Sequence, residues 1–207
     1  MTIVDSVVLW PNGKPYFFSG DKYFRYDIAN EAVDADYPLP IQDHWKGLGG
    51  VQFQGALAWP NGKAYFFSRD RFYTYDIGLD RVEPPASLPT KLTWHGVLEG
   101  ALREYRIDTA LIWPNGKTYL FQHDTYYRCD TGKTKIDPGY PELITNGWPG
   151  LWKTGQSFTG AFIWPKLVDG RQKAYFFHHT AYIRYDIADN RADDNYPQPI
   201  EGNWSGL

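Results

Sequence analysis

Four oxygen-bearing side chains stand at matching places in the chain. Asp5, Gln54, Asp108 and Thr159 each open a short apolar run: DSVVLW, QGALAW, DTALIW and TGAFIW. Oxygen is the ligand that a hard cation such as calcium takes, and two of the four side chains are carboxylates. The bland alternative is that the acids only cap strand starts. The histidines offer less. His178 and His179 are adjacent, so on a strand they point to opposite faces and do not grip one metal together. His123 falls in the corresponding turn of another copy, and His44 and His95 flank tryptophans; all five read as solvated turn residues. The single cysteine, Cys129, stands where other copies have tyrosine and reads as a buried, inert thiol. Arg-Tyr-Asp triplets at 25–27 and 184–186 resemble catalytic sets, but their recurrence marks them as scaffold. No G-x-S-x-G and no Gly-rich phosphate loop is present, so no residue is assigned as catalytic.

The elements that must position these residues come as four copies of one unit. Trp10, Trp59, Trp113 and Trp164 open them at spacings of 49, 54 and 51 residues, a period typical of propellers or solenoids. The apolar run ahead of each tryptophan reads as a buried first strand. Pro-Asn-Gly-Lys then signals a tight turn in three copies, through residues that tolerate positive φ; the fourth has the longer PKLVDGRQK. A second strand (YFF, YFF, YLF, YFF), a second turn and a third strand (KYFRYD, RFYTYD, TYYRCD, AYIRYD) follow. Asp27, Asp76, Asp130 and Asp186 end the third strands and are expected to cap the next turn. Each copy closes on a tryptophan and a glycine (HWKGL, TWHGVL, GWPGL, NWSGL), which reads as a turn or two of helix ending at Gly with Trp buried.

The unit D-x-A-L…G-K-x-Y-F-F-x-x-D-x-Y-x-R-Y-D…Y-P…W-x-G-L resembles the hemopexin repeat over essentially the whole chain. The resemblance implies an all-β, four-bladed propeller of four-stranded antiparallel blades, with blades at 1–50, 51–103, 104–154 and 155–207. Its first strands would line a narrow central channel. It also implies that main-chain carbonyls at Asp5, Gln54, Asp108 and Thr159 form a ring holding a cation, often calcium, with Val7, Ala56, Ala110 and Ala161 as the next ring. Asp5 and Asp108 would then lie on opposite blades. Gln54 and Thr159 depart from the family's usual Asp or Asn. With one cysteine, the chain cannot make the disulfide that clasps the first and last blades of animal matrix metalloproteases. In this it is similar to plant albumin-2-like and microbial hemopexin-fold proteins.

Physics agrees with ring closure, because a lone unit of about 50 residues buries too little surface to be stable. The net charge of -3 and the lack of a basic block exclude the electrostatic footprint of a nucleic-acid binder. No apolar run approaches the roughly 18–20 residues that cross a bilayer. The N-terminus is too short and too quickly acidic for a secretory signal, and with one cysteine the expected location is cytoplasmic or otherwise intracellular. The abundance of aromatics, with 16 Tyr, 12 Phe and 9 Trp, fits short strands and tight turns.

Three features break the fourfold pattern: the acidic stretch 27–38, echoed at 186–197; residues 97–107; and the insert 166–172. Each reads as solvated linker, with a short helix over 97–105 presenting Leu98, Ala101 and Leu102. The functional expectation is a non-catalytic binding protein, monomer or homodimer, for a small ligand of the polyamine, haem or sugar class or for a protein partner. Haem is weakened by the lack of a paired histidine clamp. The alternatives are an enzyme using the channel as a pocket and a dimeric interaction, toxin-like or lectin module.

Overall fold

The computed structural model describes residues 2–69, 71–89, 106–132, 135–152 and 157–207. Residues 97–105, where the sequence predicts a short helix, lie outside the described residues.

Each copy folds into an antiparallel blade. In blade 1, Ser6–Leu9 pairs with Pro15–Ser19, which pairs with Lys22–Asp27, which pairs with the outer Ala32–Val33. Blades 2 and 4 repeat this order from first strands Gly55–Trp59 and Gly160–Val168; blade 3, from Thr109–Ile112, has a single Cys129–Ile136 bridge in place of the outer pair and pairs Glu142–Leu143 with its third strand. The β-branched and aromatic residues of these runs suit a pleated surface, and the first two strands of each blade are buried almost throughout.

The first strands contact one another in cyclic order, blade 1 on blade 2, 2 on 3, 3 on 4, and 4 on 1. The last contact is also a parallel strand pair, with Val7 opposite Gly160. The core is therefore divided among four seams. Trp45 sits between Phe18 of blade 1 and Phe66 of blade 2, Trp148 between Phe121 and Phe176, and Trp204 between Phe177 and Phe17. These three closing tryptophans are buried; Trp94 is outside the described residues. Cys129 is wholly buried in the seam of blades 2 and 3, as expected.

The tryptophan motif is also a latch. After it, the chain lends a carbonyl to the outer strand of the next blade: Lys46 O accepts from Val82 N at 2.9 Å, Pro149 O from Ala192 N at 2.9 Å, and Ser205 O from Val33 N at 2.9 Å. The helical turns, Ile41–His44 and Ile144–Gly147, end before the tryptophan and not at the later glycine, because the tryptophan N–H closes the turn on Ile41 O or Ile144 O. The glycine is needed for the latch, where Gly47 and Gly206 have φ of 92° and 90°.

Two further expectations need correction. The insert 166–172 is not linker: the first and second strands of blade 4 extend through it, with Val168 opposite Arg171 across an Asp169-Gly170 turn. Both turn residues have positive φ, at 52° and 76°, as a two-residue hairpin with right-handed twist requires. The acidic stretches are not linker either. They carry the outer strands Ala32–Val33 and Arg191–Ala192 and the acids of an ionic network.

Candidate functional site

That network repeats in every blade. Lys14 binds Asp27 at 3.0 Å and Asp34 at 2.9 Å; Lys63, Lys117 and Lys173 do the same with their own blade's acids. Arg25, Arg128 and Arg184 join through Asp34, Asp137 and Asp193. Burial alone would raise the Asp34 carboxyl, but its bonds to Lys14 and Arg25 hold it below the usual range. Asp27, Asp76 and Asp186 also accept backbone N–H groups of the following turn, which confirms the capping role. The Arg-Tyr-Asp triplets are thus scaffold.

The four matching residues at the head of the first strands share one task. Asp5 Oδ2 accepts from Gly20 N at 2.8 Å, Gln54 Oε1 from Arg69 N at 2.7 Å, Asp108 Oδ2 from His123 N at 2.7 Å, and Thr159 Oγ1 from His179 N at 3.3 Å. Every donor is the positive-φ residue of its blade's second turn. The side chains therefore pin that turn to the channel end of the blade. Asp108 is further paired with Arg106 at 2.6 Å, which offsets its charge. A cation there would take main-chain oxygens, since these side-chain atoms already serve the turns. Among the described residues, no three His, Cys, Asp or Glu side chains converge as metal ligands.

The fit to a polar guest rests on two other atoms. One residue beyond the collar, Ser6 and Thr109 are fully buried on opposite blades, and neither hydroxyl has a hydrogen-bond partner among the described residues. A buried hydroxyl without a partner costs about 1–3 kcal/mol, which a water or cation in the channel neck would recover. Their counterparts are Gly55 and Gly160, where a methyl would strike the Asp108 carbonyl (2.5 Å) or Val7 of the next blade. Of the second ring, Ala56 and Ala161 border the channel's far end, while Val7 and Ala110 are buried in the seams. That far end is an apolar cavity of about 140 Å³, walled by all four first strands through residues such as Leu9, Leu57, Ile112 and Ile163.

The collar is not equally open all round. Asp108 and Thr159 are buried, whereas Asp5 and Gln54 are half-buried and border a cavity of about 600 Å³ between blades 1 and 2. Phe18, Ile41, Val51 and Phe53 supply its apolar wall. Asp21, Gln42, Gln52 and Arg69 supply the polar one. Sequence reasoning missed this cavity, because its walls come from two blades and the segment 50–54 gives no local sign of a space beside it.

The histidines divide. His44, His123 and His179 are exposed, as expected. His178 is buried, a correction: it ends a strand, packs on Phe158 at 4.5 Å between ring centres, and directs Nδ1 at Ser157 O, 3.3 Å away. His95 lies outside the described residues. Burial pushes the Cys129 thiol up to about 12, which keeps it protonated and unreactive at neutral pH.

The hemopexin family model matches residues 4–50 and 107–153, the first and third copies. Those two copies are hemopexin repeats. Among relatives of hemopexin type, interstitial collagenase B of Mus musculus is 32% identical over 81 residues, which is 39% of this chain and 15% of that protein. Vitronectin of Oryctolagus cuniculus is 36% identical over 73 residues, 35% of this chain and 14% of that protein. The chain thus spans only a small part of these relatives. Hemopexin-fold structures cover it almost entirely. The hemopexin fold protein CP4 from cow pea superposes with a TM-score of 0.79 at 20% identity, over 99% of this chain and 96% of that one. A plant lectin with two metal binding sites from Cicer arietinum superposes at 0.72 and 22% identity, over 96% and 91%. At that identity the likeness is one of fold.

Proposed function

We propose that this hemopexin-repeat propeller is a non-catalytic binding protein. It holds a cation, calcium by preference, against the carbonyls of Asp5, Gln54, Asp108 and Thr159, and takes a small organic cation of the polyamine class in the cavity between blades 1 and 2. The observation that carries the reading is the joining of collar and cavity through Asp5 and Gln54. Among the described residues, the polar wall offers the Asp5 and Asp21 carboxylates and the amide oxygens of Gln42 and Gln52 against the guanidinium of Arg69. An alkyl spacer would lie on Phe18 and Phe53 while its ammonium ends meet those acceptors. Among the described residues no histidine lines the cavity, which disfavours haem, and none is a nucleophile beside a base.

Titration calorimetry with spermidine tests the ligand, and thermal melts of chelated protein with added calcium test the ion. One spermidine site per chain is expected, weakened about tenfold by Asp21→Asn through loss of one charged contact. Calcium should raise the melting temperature by mass action. Absence of spermidine binding would sink the ligand reading, and an unmoved melting temperature would sink the ion.

A further inference from the structure

Two clefts between blades are built from the same repeat positions. One, of about 240 Å³, lies between blades 1 and 2, walled by Trp10, Tyr23, Arg25, Tyr37 and His44, with Asp80 contributed by blade 2. The other, of about 210 Å³, lies between blades 4 and 1. It is walled by Trp164, Tyr182, Arg184, Tyr196 and Asn203, with Glu31 contributed by blade 1. In both, a guanidinium lies over a tyrosine ring, 5.0 Å from the centre of Tyr37 and 5.3 Å from that of Tyr196.

The guanidiniums in these clefts are already paired: Arg25 and Arg184 give Nε to Asp34 and Asp193. Asp80, which accepts from the Tyr75 hydroxyl at 2.8 Å, and Glu31 are carboxylates suited to accept from hydroxyl groups. An anionic ligand would therefore gain little from the clefts. What remains is a set of flat aromatic faces, phenol hydroxyls and guanidinium N–H groups around a small volume. That combination suits a neutral polyol with one apolar C–H face, which is a pyranose ring.

The seam of blades 2 and 3 lacks the set, and that of blades 3 and 4 fills it differently. Blade 2 has Phe72, Thr74 and Ala86 where blade 1 has Tyr23, Arg25 and Tyr37. Blade 3 keeps Tyr126, Arg128 and Tyr140 and even repeats the stacked guanidinium, Arg128 lying 4.8 Å from the centre of Tyr140, but it has Gly147 in place of His44 or Asn203. The Tyr126 hydroxyl occupies the space a methyl at Gly147 would need, and bonds Glu142 Oε2 at 3.0 Å. We propose that the clefts between blades 1 and 2 and between blades 4 and 1 are two equivalent pyranose-binding subsites, so that a single chain holds two sugar units and can bridge two glycan ends. The proposal is independent of the collar cavity, with which neither cleft shares a lining residue.

The probes are the methyl glycosides of mannose, galactose and N-acetylglucosamine, screened by saturation-transfer NMR and titrated by calorimetry. At least one should bind with two sites per chain. His44 and Asn203 are exposed at the cleft mouths, so His44→Trp and Asn203→Trp should fold normally while each blocks one cleft. Each single variant should show one site with unchanged affinity, and the double variant none, with melting temperature and spermidine binding as in wild type. Wild type should agglutinate beads coated with the bound sugar, and neither single variant should. The proposal falls if none of the three glycosides binds, if wild type has a single site, or if the double variant binds as well as wild type.

Discussion

At the head of each first strand, one acceptor atom fixes a turn fifteen or twenty residues away. Asp108 does this under the greatest constraint, because it is buried and holds both His123 N and Arg106. Asp108→Ala should cost about 1–3 kcal/mol of stability in denaturant titrations, since it strands a buried donor. Gln54→Ala, at a half-buried site, should cost less. These roles bear on the calcium test: loss of Asp5 or Asp108 lowers the melting temperature of the metal-free protein, so only the calcium-induced shift reports on the ion. At Cys129 the prediction is kinetic. A thiol reagent should label it slowly in the native state and readily after unfolding, with rapid native labelling contradicting the buried, protonated thiol. In the Pro-Asn-Gly-Lys turn the glycine alone takes positive φ. The asparagine acts through its side chain, accepting from Lys14 N and donating to the Tyr16 hydroxyl.

The element that distinguishes a blade from an isolated sheet is its latch onto the next. A methyl at Gly47 would fall 2.8 Å from Val82 Cβ, and one at Gly206 would fall 2.7 Å from Val33 Cβ, in addition to the strain of positive φ. Gly13, in the first turn, has a similar φ of 79° but nothing within 4 Å of where a methyl would stand. Gly206→Ala and Gly47→Ala should therefore each cost about 2–4 kcal/mol, combining strain and overpacking, and Gly13→Ala only about 1–2 kcal/mol from strain. Thermal melts of the three variants check the order; equal losses would show that the close approach to the next blade does not matter.

Across the whole molecule, closure rests on three non-covalent junctions between blades 4 and 1: the Val7–Gly160 pair, the Val4–His179 bridge and the Ser205 latch. Trp204 fills the same seam and Trp148 the one before it. Trp148→Ala should cost about 3–5 kcal/mol, the range for a large buried aromatic. The ionic network sets the acid limit. The Asp186 carboxyl is pushed up by burial, but Lys173, the turn N–H and Arg171 outweigh this and leave it well below the usual range. Asp27, Asp34, Asp76 and Asp137 are lowered as well. Groups with depressed folded-state values contribute stability above their unfolded pKa, about 3.9, and lose it as pH falls through the folded value. Stability from these groups should be flat from neutral pH to about 5 and decline below about 4, and Asp186→Asn should flatten the decline. An acid transition unaltered in that variant would remove Asp186 from the account.

The blades were legible in the sequence because each strand carries its own signal: apolar runs, Gly turns and aromatic alternation are local, and four repetitions average out the noise. The recurrence of Trp-x-Gly-Leu announced a buried tryptophan for the same reason. What the motif does next, lending a carbonyl to the following blade, depends on where that blade lies, and no local pattern states it. Asp5, Gln54, Asp108 and Thr159 were recognisable as equivalent, but their work as turn caps appears only when the second turn folds back onto the first strand. The acidic stretches and the 166–172 insert looked like linker because their strands are short and exposed, and pairing alone makes them strands. The cavity beside the collar and the two aromatic clefts are spaces between blades. Their walls come from residues far apart in the chain, so only the closed ring decides that they exist.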